Sequence, residues 1–115
     1  MAWRRRGKFN AKRTTVGKLT FASKKESERY VFLKALEKAG KIKELELQPR
    51  FPITVVGADG CSHKICTYVA DFRYKVGRGK KASSVVEDVK GVKTSVYRIK
   101  KKLVEAVYGI QVTEV

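Results

Sequence analysis

The spacing of apolar residues changes several times along the chain, and each change predicts an element. Residues 14–22 (TTVGKLTFA) read as a short extended stretch. Ser23, with Glu26 three positions on, makes a capping box and starts a helix. Tyr30, Phe32, Leu33 and Leu36 follow at roughly helical spacing, and Gly40 ends the run. Residues 42–48 (IKELELQ) alternate as a half-buried strand, with Pro49 and Pro52 bracketing its end. FPITVVG is extended and ADGCS is a turn. One strand is predicted over about 65–75 (ICTYVADFRYK) and another over about 83–90 (SSVVEDVK), joined by the basic turn GRGKK. A second helix fits about 94–107, with Val96, Ile99, Leu103 and Val107 on one face. Gly109 stops it, and IQVTEV reads as a last strand. The expectation is an α/β fold: helices packed on a small mixed β-sheet, in a single domain over residues 14–115.

Charge adds a partner to this picture. The chain has 27 Lys and Arg against 11 Asp and Glu, a formal net charge of +16. So basic a surface repels itself unless it meets an anion, and nucleic acid is the first candidate. Residues 1–13 hold Arg4, Arg5, Arg6, Lys8, Lys12 and Arg13 with no acid, and read as a basic arm. No stretch approaches the roughly 20 apolar residues of a membrane span, and MAWRRRGKF lacks the apolar run of a secretory signal. An intracellular location is expected. No phosphate-cradling GxxxxGK[ST] loop is present.

Against this basic background, carboxylates sit among apolar neighbours in two of the expected strands. Asp71 lies in YVADFRY, and Asp88 and Lys90 lie in VVEDVKG. In a strand, positions i and i+2 share a face, so Asp88 and Lys90 point one way and Glu87 the other. If the two strands pair, Asp71 meets Asp88 near the sheet end. Two adjacent carboxylates repel unless a cation lies between them, and magnesium favours hard oxygen ligands of this kind. The main-chain carbonyl of Val89 can add a ligand. Lys90 would stand beside the metal to orient or deprotonate water, or to stabilise charge on a phosphate. The set suits phosphodiester hydrolysis. The plainer reading is an exposed Asp88–Lys90 charge pair beside a surface Asp71. Cys61, His63 and Cys66 also lie close in sequence, but a zinc site would need a fourth ligand and better spacing.

The segments SKKESERYVFLKALEKAG, LELQPRF, YVADFRY and VVEDVKGVKT resemble a family of small phage and prophage proteins in the PD-(D/E)XK nuclease superfamily, the fold of many restriction enzymes and junction resolvases. The resemblance runs from about Thr14 to the C-terminus. It implies a restriction-endonuclease-like core and a magnesium-dependent endodeoxyribonuclease, with manganese as a substitute metal. Asp71 matches the metal-binding aspartate, Asp88 the acidic member of the (D/E)XK triplet, and Lys90 its lysine. Glu26 matches a first-helix glutamate that would contact the metal or its water, with Glu28 as the second choice to face the metal, and Gln48 occupies a polar active-site position. Ala70 precedes Asp71, so the literal PD dipeptide is missing. Glu26 as a capping residue is the competing explanation. The resemblance further implies action on duplex or branched DNA in recombination, replication or packaging, inside a bacterial host cell.

Phosphate contacts are expected from Arg4, Arg5, Arg6, Arg73, Lys93, Arg98 and Lys101, and from Thr94 at the start of the second helix. Thr94 as a plain helix cap is the alternative. So small a body would grip a branched or duplex substrate best as a homodimer. The function from another class is a non-catalytic nucleic-acid-binding protein on the same fold.

Overall fold

In the computed structural model, which describes residues 13–89 and 93–115, a β-hairpin comes first: β1 (Thr14–Val16) and β2 (Leu19–Phe21). The expectations for Arg4, Arg5, Arg6 and Lys90 fall outside the described residues. Helix α1 (Lys24–Lys38) follows, with Ser23 at its N-cap accepting from the Glu26 amide at 3.2 Å. Glu26 completes the cap one residue further back than expected, accepting from the Ala22 amide at 3.1 Å rather than from Ser23. At the other end Lys41 N–H bonds the Leu36 carbonyl and Gly40 N–H bonds that of Glu37. This closure needs a left-handed residue, and Gly40 supplies it at φ 78°.

Strands β3 (Lys43–Leu47), β6 (Phe72–Val76), β7 (Ser83–Asp88) and β8 (Val112–Glu114) form a four-stranded sheet in the order β3-β6-β7-β8. β6 runs antiparallel to β3 and β7, whereas β8 is parallel to β7. A parallel neighbour requires a crossover, and α2 (Ser95–Tyr108) provides it. Between β3 and β6 in sequence, β4 (Arg50–Val56) and β5 (Ser62–Val69) pair as a separate two-stranded ribbon. The mixed α/β architecture is as the hydrophobic pattern predicts.

The single strand expected over 65–75 is two strands, β5 and β6, interrupted at Ala70–Asp71. The opposite chain breaks at the same level. Gln48 takes φ +50°, and its amide donates to the Asp71 carbonyl at 2.9 Å, while Ala70 N–H donates to that of Pro49 at 3.1 Å. A left-handed non-glycine residue costs about 1 kcal/mol or more, so the bend is held by its surroundings.

The core has two parts, one on each side of the sheet. Leu33 of α1 packs with Phe21, Ile42, Phe72, Tyr74 and Val89. Val104 and Tyr97 of α2 pack with Val86, Val112, Phe51, Ile53 and Tyr68. α2 buries only part of the face that its apolar residues predict: Leu103 is half-buried against the core. Val96, Ile99 and Val107 are exposed, and Tyr97 and Val104 point inward with Lys100 and Lys101 half-buried beside them. The aliphatic stems of these lysines cover apolar surface while their ammonium groups reach polar atoms, so cationic positions do the work expected of valines. Phe32 of α1 also faces out, with Arg29 4.9 Å above its ring.

Candidate metal and nucleic-acid site

Alternation along β7 sends neighbouring carboxylates to opposite faces. Glu87 turns toward α1, where Arg29 holds it with two hydrogen bonds of 2.8 Å and the Tyr74 hydroxyl donates to it as well. Burial first, then the Glu87 carboxylate, pushes the Tyr74 hydroxyl up to about 12. Glu87 is therefore spent on tying α1 to the sheet, as its parity predicts.

Asp88 faces the other side and is fully buried, accepting a hydrogen bond from the Tyr68 hydroxyl. Phe72 opposes Glu87 in the antiparallel register, so the next pair beyond the end of β6 is Asp71 with Asp88. The Asp71 amide donates to the Glu87 carbonyl at 3.1 Å, and its carboxylate accepts from the Val89 amide at 2.6 Å. The two aspartates thus meet at the sheet end, where strand pairing alone would place them.

Glu26 reaches this point from the first turn of α1. Burial chiefly, and then contact with Glu26, raises Asp71 to about 6, while hydrogen bonding to Asp88 and to the Val89 amide acts the other way. Asp71 is thus the middle of three carboxyl groups. Glu26, Gln48 and Asp71 also line a cleft of about 120 Å³ walled by Leu19, Phe21, Leu47 and Phe72. Asp88 lies behind Asp71 and does not line it. Glu28, the alternative helix acid, is turned to solvent beside Lys24.

Elsewhere the acidic side chains meet cations: Glu46 meets Arg73 at 2.6 Å, Glu44 meets Lys75 at 3.2 Å and Glu37 meets Lys34 at 2.9 Å. Among the described residues no Lys or Arg pairs with Glu26 or Asp71. Nor, among the described residues, is any set of three or more His, Cys, Asp or Glu arranged to hold a metal ion by itself. Two carboxylates with a main-chain carbonyl, completed by water and phosphate oxygens, are a donor set suited to magnesium, which keeps several waters.

Thr94 serves as the N-cap of α2, accepting from the Tyr97 amide at 3.1 Å. Lys93 and Lys101 both turn to Glu114, at 3.2 and 3.7 Å. Arg73 lies 5.4 Å above the Phe51 ring besides pairing with Glu46, and Arg98 is exposed. Cys66 packs against the α2-side core, Cys61 is exposed in the β4–β5 turn, and His63 pairs with Asp59 at 2.9 Å. Arg29, Tyr68, Tyr97 and Glu114 escaped the sequence reading. Only Glu114 left a signal, as an acid within the apolar alternation of the last strand in a chain with few acids.

A family model matches residues 6–113, and its description is "Protein of unknown function (DUF1064)". Comparison with curated proteins and with solved structures gives no match.

Proposed function

The chain belongs to the family described as protein of unknown function (DUF1064), and we propose that it is a divalent-metal-dependent endodeoxyribonuclease with a restriction-endonuclease-like core. One observation carries the reading. Asp71 stands between Glu26 and Asp88 and is raised to about 6 by burial and by Glu26, although the chain as a whole carries a net charge of +16. Such crowding of like charge is stable at neutral pH when a cation joins the group.

Asp71 and Asp88 would hold magnesium or manganese, with the Val89 carbonyl as a further oxygen ligand. Bound there, the ion would polarise the phosphodiester and lower the pKa of water. Glu26 and Gln48 line the cleft beside Asp71 and would orient a water molecule toward the scissile phosphate. Tyr68 fixes the Asp88 carboxylate. Lys90 keeps its proposed role beside the metal.

Surface lysines and arginines fix the position of a backbone rather than read its sequence. Duplex or branched DNA is the proposed substrate, and a homodimer the proposed assembly, giving one site for each strand. Among the described residues no helix is long and apolar enough to cross a membrane. The proposed setting is the cytoplasm of a bacterial host carrying phage or prophage.

The test is cleavage of labelled linear duplex, single strand, flap and four-way junction, with magnesium, manganese or chelator. Wild type is run beside Asp88→Ala and Lys90→Ala. Metal-dependent cutting lost in both variants supports the nuclease. Tight DNA binding with no cutting in either metal replaces it with a non-catalytic binding protein.

A further inference from the structure

Three donors converge on one carboxylate at the end of β8. Lys93 Nζ lies 3.2 Å and Lys101 Nζ 3.7 Å from Glu114 Oε1. The Tyr97 hydroxyl donates to Oε2 at 2.7 Å. Lys93 precedes α2, and Tyr97 and Lys101 lie one turn apart along it. Glu114 is also the register partner of Asp88 across the parallel β7–β8 pair. Parallel partners share a face, so the Glu114 backbone stands about 5 Å, one strand spacing, from that of Asp88. The Tyr68 and Tyr97 rings, 6.5 Å apart, link the two positions on that face.

Two ammonium groups and a hydroxyl aimed at anionic oxygens are what a phosphodiester also requires. The Lys93 and Glu114 side chains remain 47% and 28% exposed, so the ion pair is open to water and exchange is sterically possible. Exposed pairs of this sort contribute about 1 kcal/mol or less. A nucleic-acid backbone also releases condensed counterions for each of its phosphates that a lysine neutralises, an entropic gain that Glu114 lacks.

We infer that Lys93, Lys101 and the Tyr97 hydroxyl form a binding site for a substrate phosphate next to the cleavage centre, and that Glu114 fills this site until the backbone displaces it. The inference rests on the nucleic-acid reading above, though not on cleavage. In the free protein Glu114 holds the two ammonium groups. In the complex the same lysines change partner and anchor the backbone.

The test is binding of a labelled DNA duplex in chelator over a range of salt, using the full chain. The set is wild type, Glu114→Gln, Lys93→Gln/Lys101→Gln and the triple variant. Glutamine still accepts from Tyr97 but holds the lysines weakly. Glu114→Gln should bind roughly three- to tenfold tighter. Lys93→Gln/Lys101→Gln should flatten the log–log salt slope by about 1 to 2 units. In that background Glu114→Gln should change affinity little, because the coupling is lost. An equal gain with and without the lysines is a bulk-charge effect and overturns the inference, as does no gain at all. If Glu114→Gln fails to fold, an unchanged slope in the lysine variant overturns it alone. Wild-type cutting in magnesium without this coupling removes the inference and leaves the nuclease standing.

Discussion

Arg29 and Glu87 are joined by two parallel hydrogen bonds of 2.8 Å, across 58 residues of sequence. The pair ties α1, which carries Glu26, to the strand that carries Asp88. The Glu87 side chain is 2% exposed and that of Arg29 26%. Removing one partner strands a buried charge, at a cost below the about 3–5 kcal/mol of a wholly buried pair. Arg29→Ala should lower stability by about 2–3 kcal/mol in urea unfolding. Arg73→Ala, which breaks an exposed pair with Glu46, should cost under about 1 kcal/mol.

Glu26 closes the cap of α1 and, in the proposed function, also acts at the cleavage site; mutation separates the two. Ser23→Ala removes the cap but leaves the Glu26 carboxylate, and should cost about 1 kcal/mol with cleavage nearly unchanged. Glu26→Gln keeps a cap acceptor for the Ala22 amide but removes the charge beside Asp71. It should cost little stability and slow metal-dependent cleavage by at least about tenfold, compared at saturating metal. Equal cleavage by both variants would reduce Glu26 to a capping residue.

Asp71 gives stability a definite pH dependence. Its folded value of about 6 lies above the ordinary 3.8, chiefly through burial. Between these values the folded protein holds a proton that the unfolded chain has released. On account of this group, metal-free stability is greatest below about pH 4 and falls as pH rises to about 6. Thermal unfolding in chelator should show that fall in wild type and a flatter profile in Asp71→Asn. Magnesium at neutral pH should raise the melting temperature of wild type more than that of the variant.

Tyr68 donates to a carboxylate that no solvent reaches. Tyr68→Phe removes this bond with little change of shape. It should destabilise the protein by about 1–3 kcal/mol, read by denaturant unfolding without metal.

How much of this was legible in the sequence varied with the distance over which each feature is determined. The meeting of Asp71 with Asp88 follows from two strands joined by a short turn, and strand parity alone separates Asp88 from Glu87. The interruption at Asp71 depends on the left-handed Gln48 in the bend between β3 and β4, which no local pattern reveals. α2 misled because Val96, Ile99 and Val107 look like core, whereas Tyr97 is drawn inward by packing and by Glu114. Arg29 could not be matched to Glu87 before the fold brought α1 over β7.

Manganese binding, measured by electron paramagnetic resonance at about pH 7.5 without DNA, tests the proposed metal site most directly. At this pH Asp71 is ionised in most molecules. Wild type should bind the ion, and Asp71→Asn and Asp88→Asn should each weaken binding by more than about tenfold. Folded variants that bind manganese as wild type does would contradict a metal centre at these two aspartates.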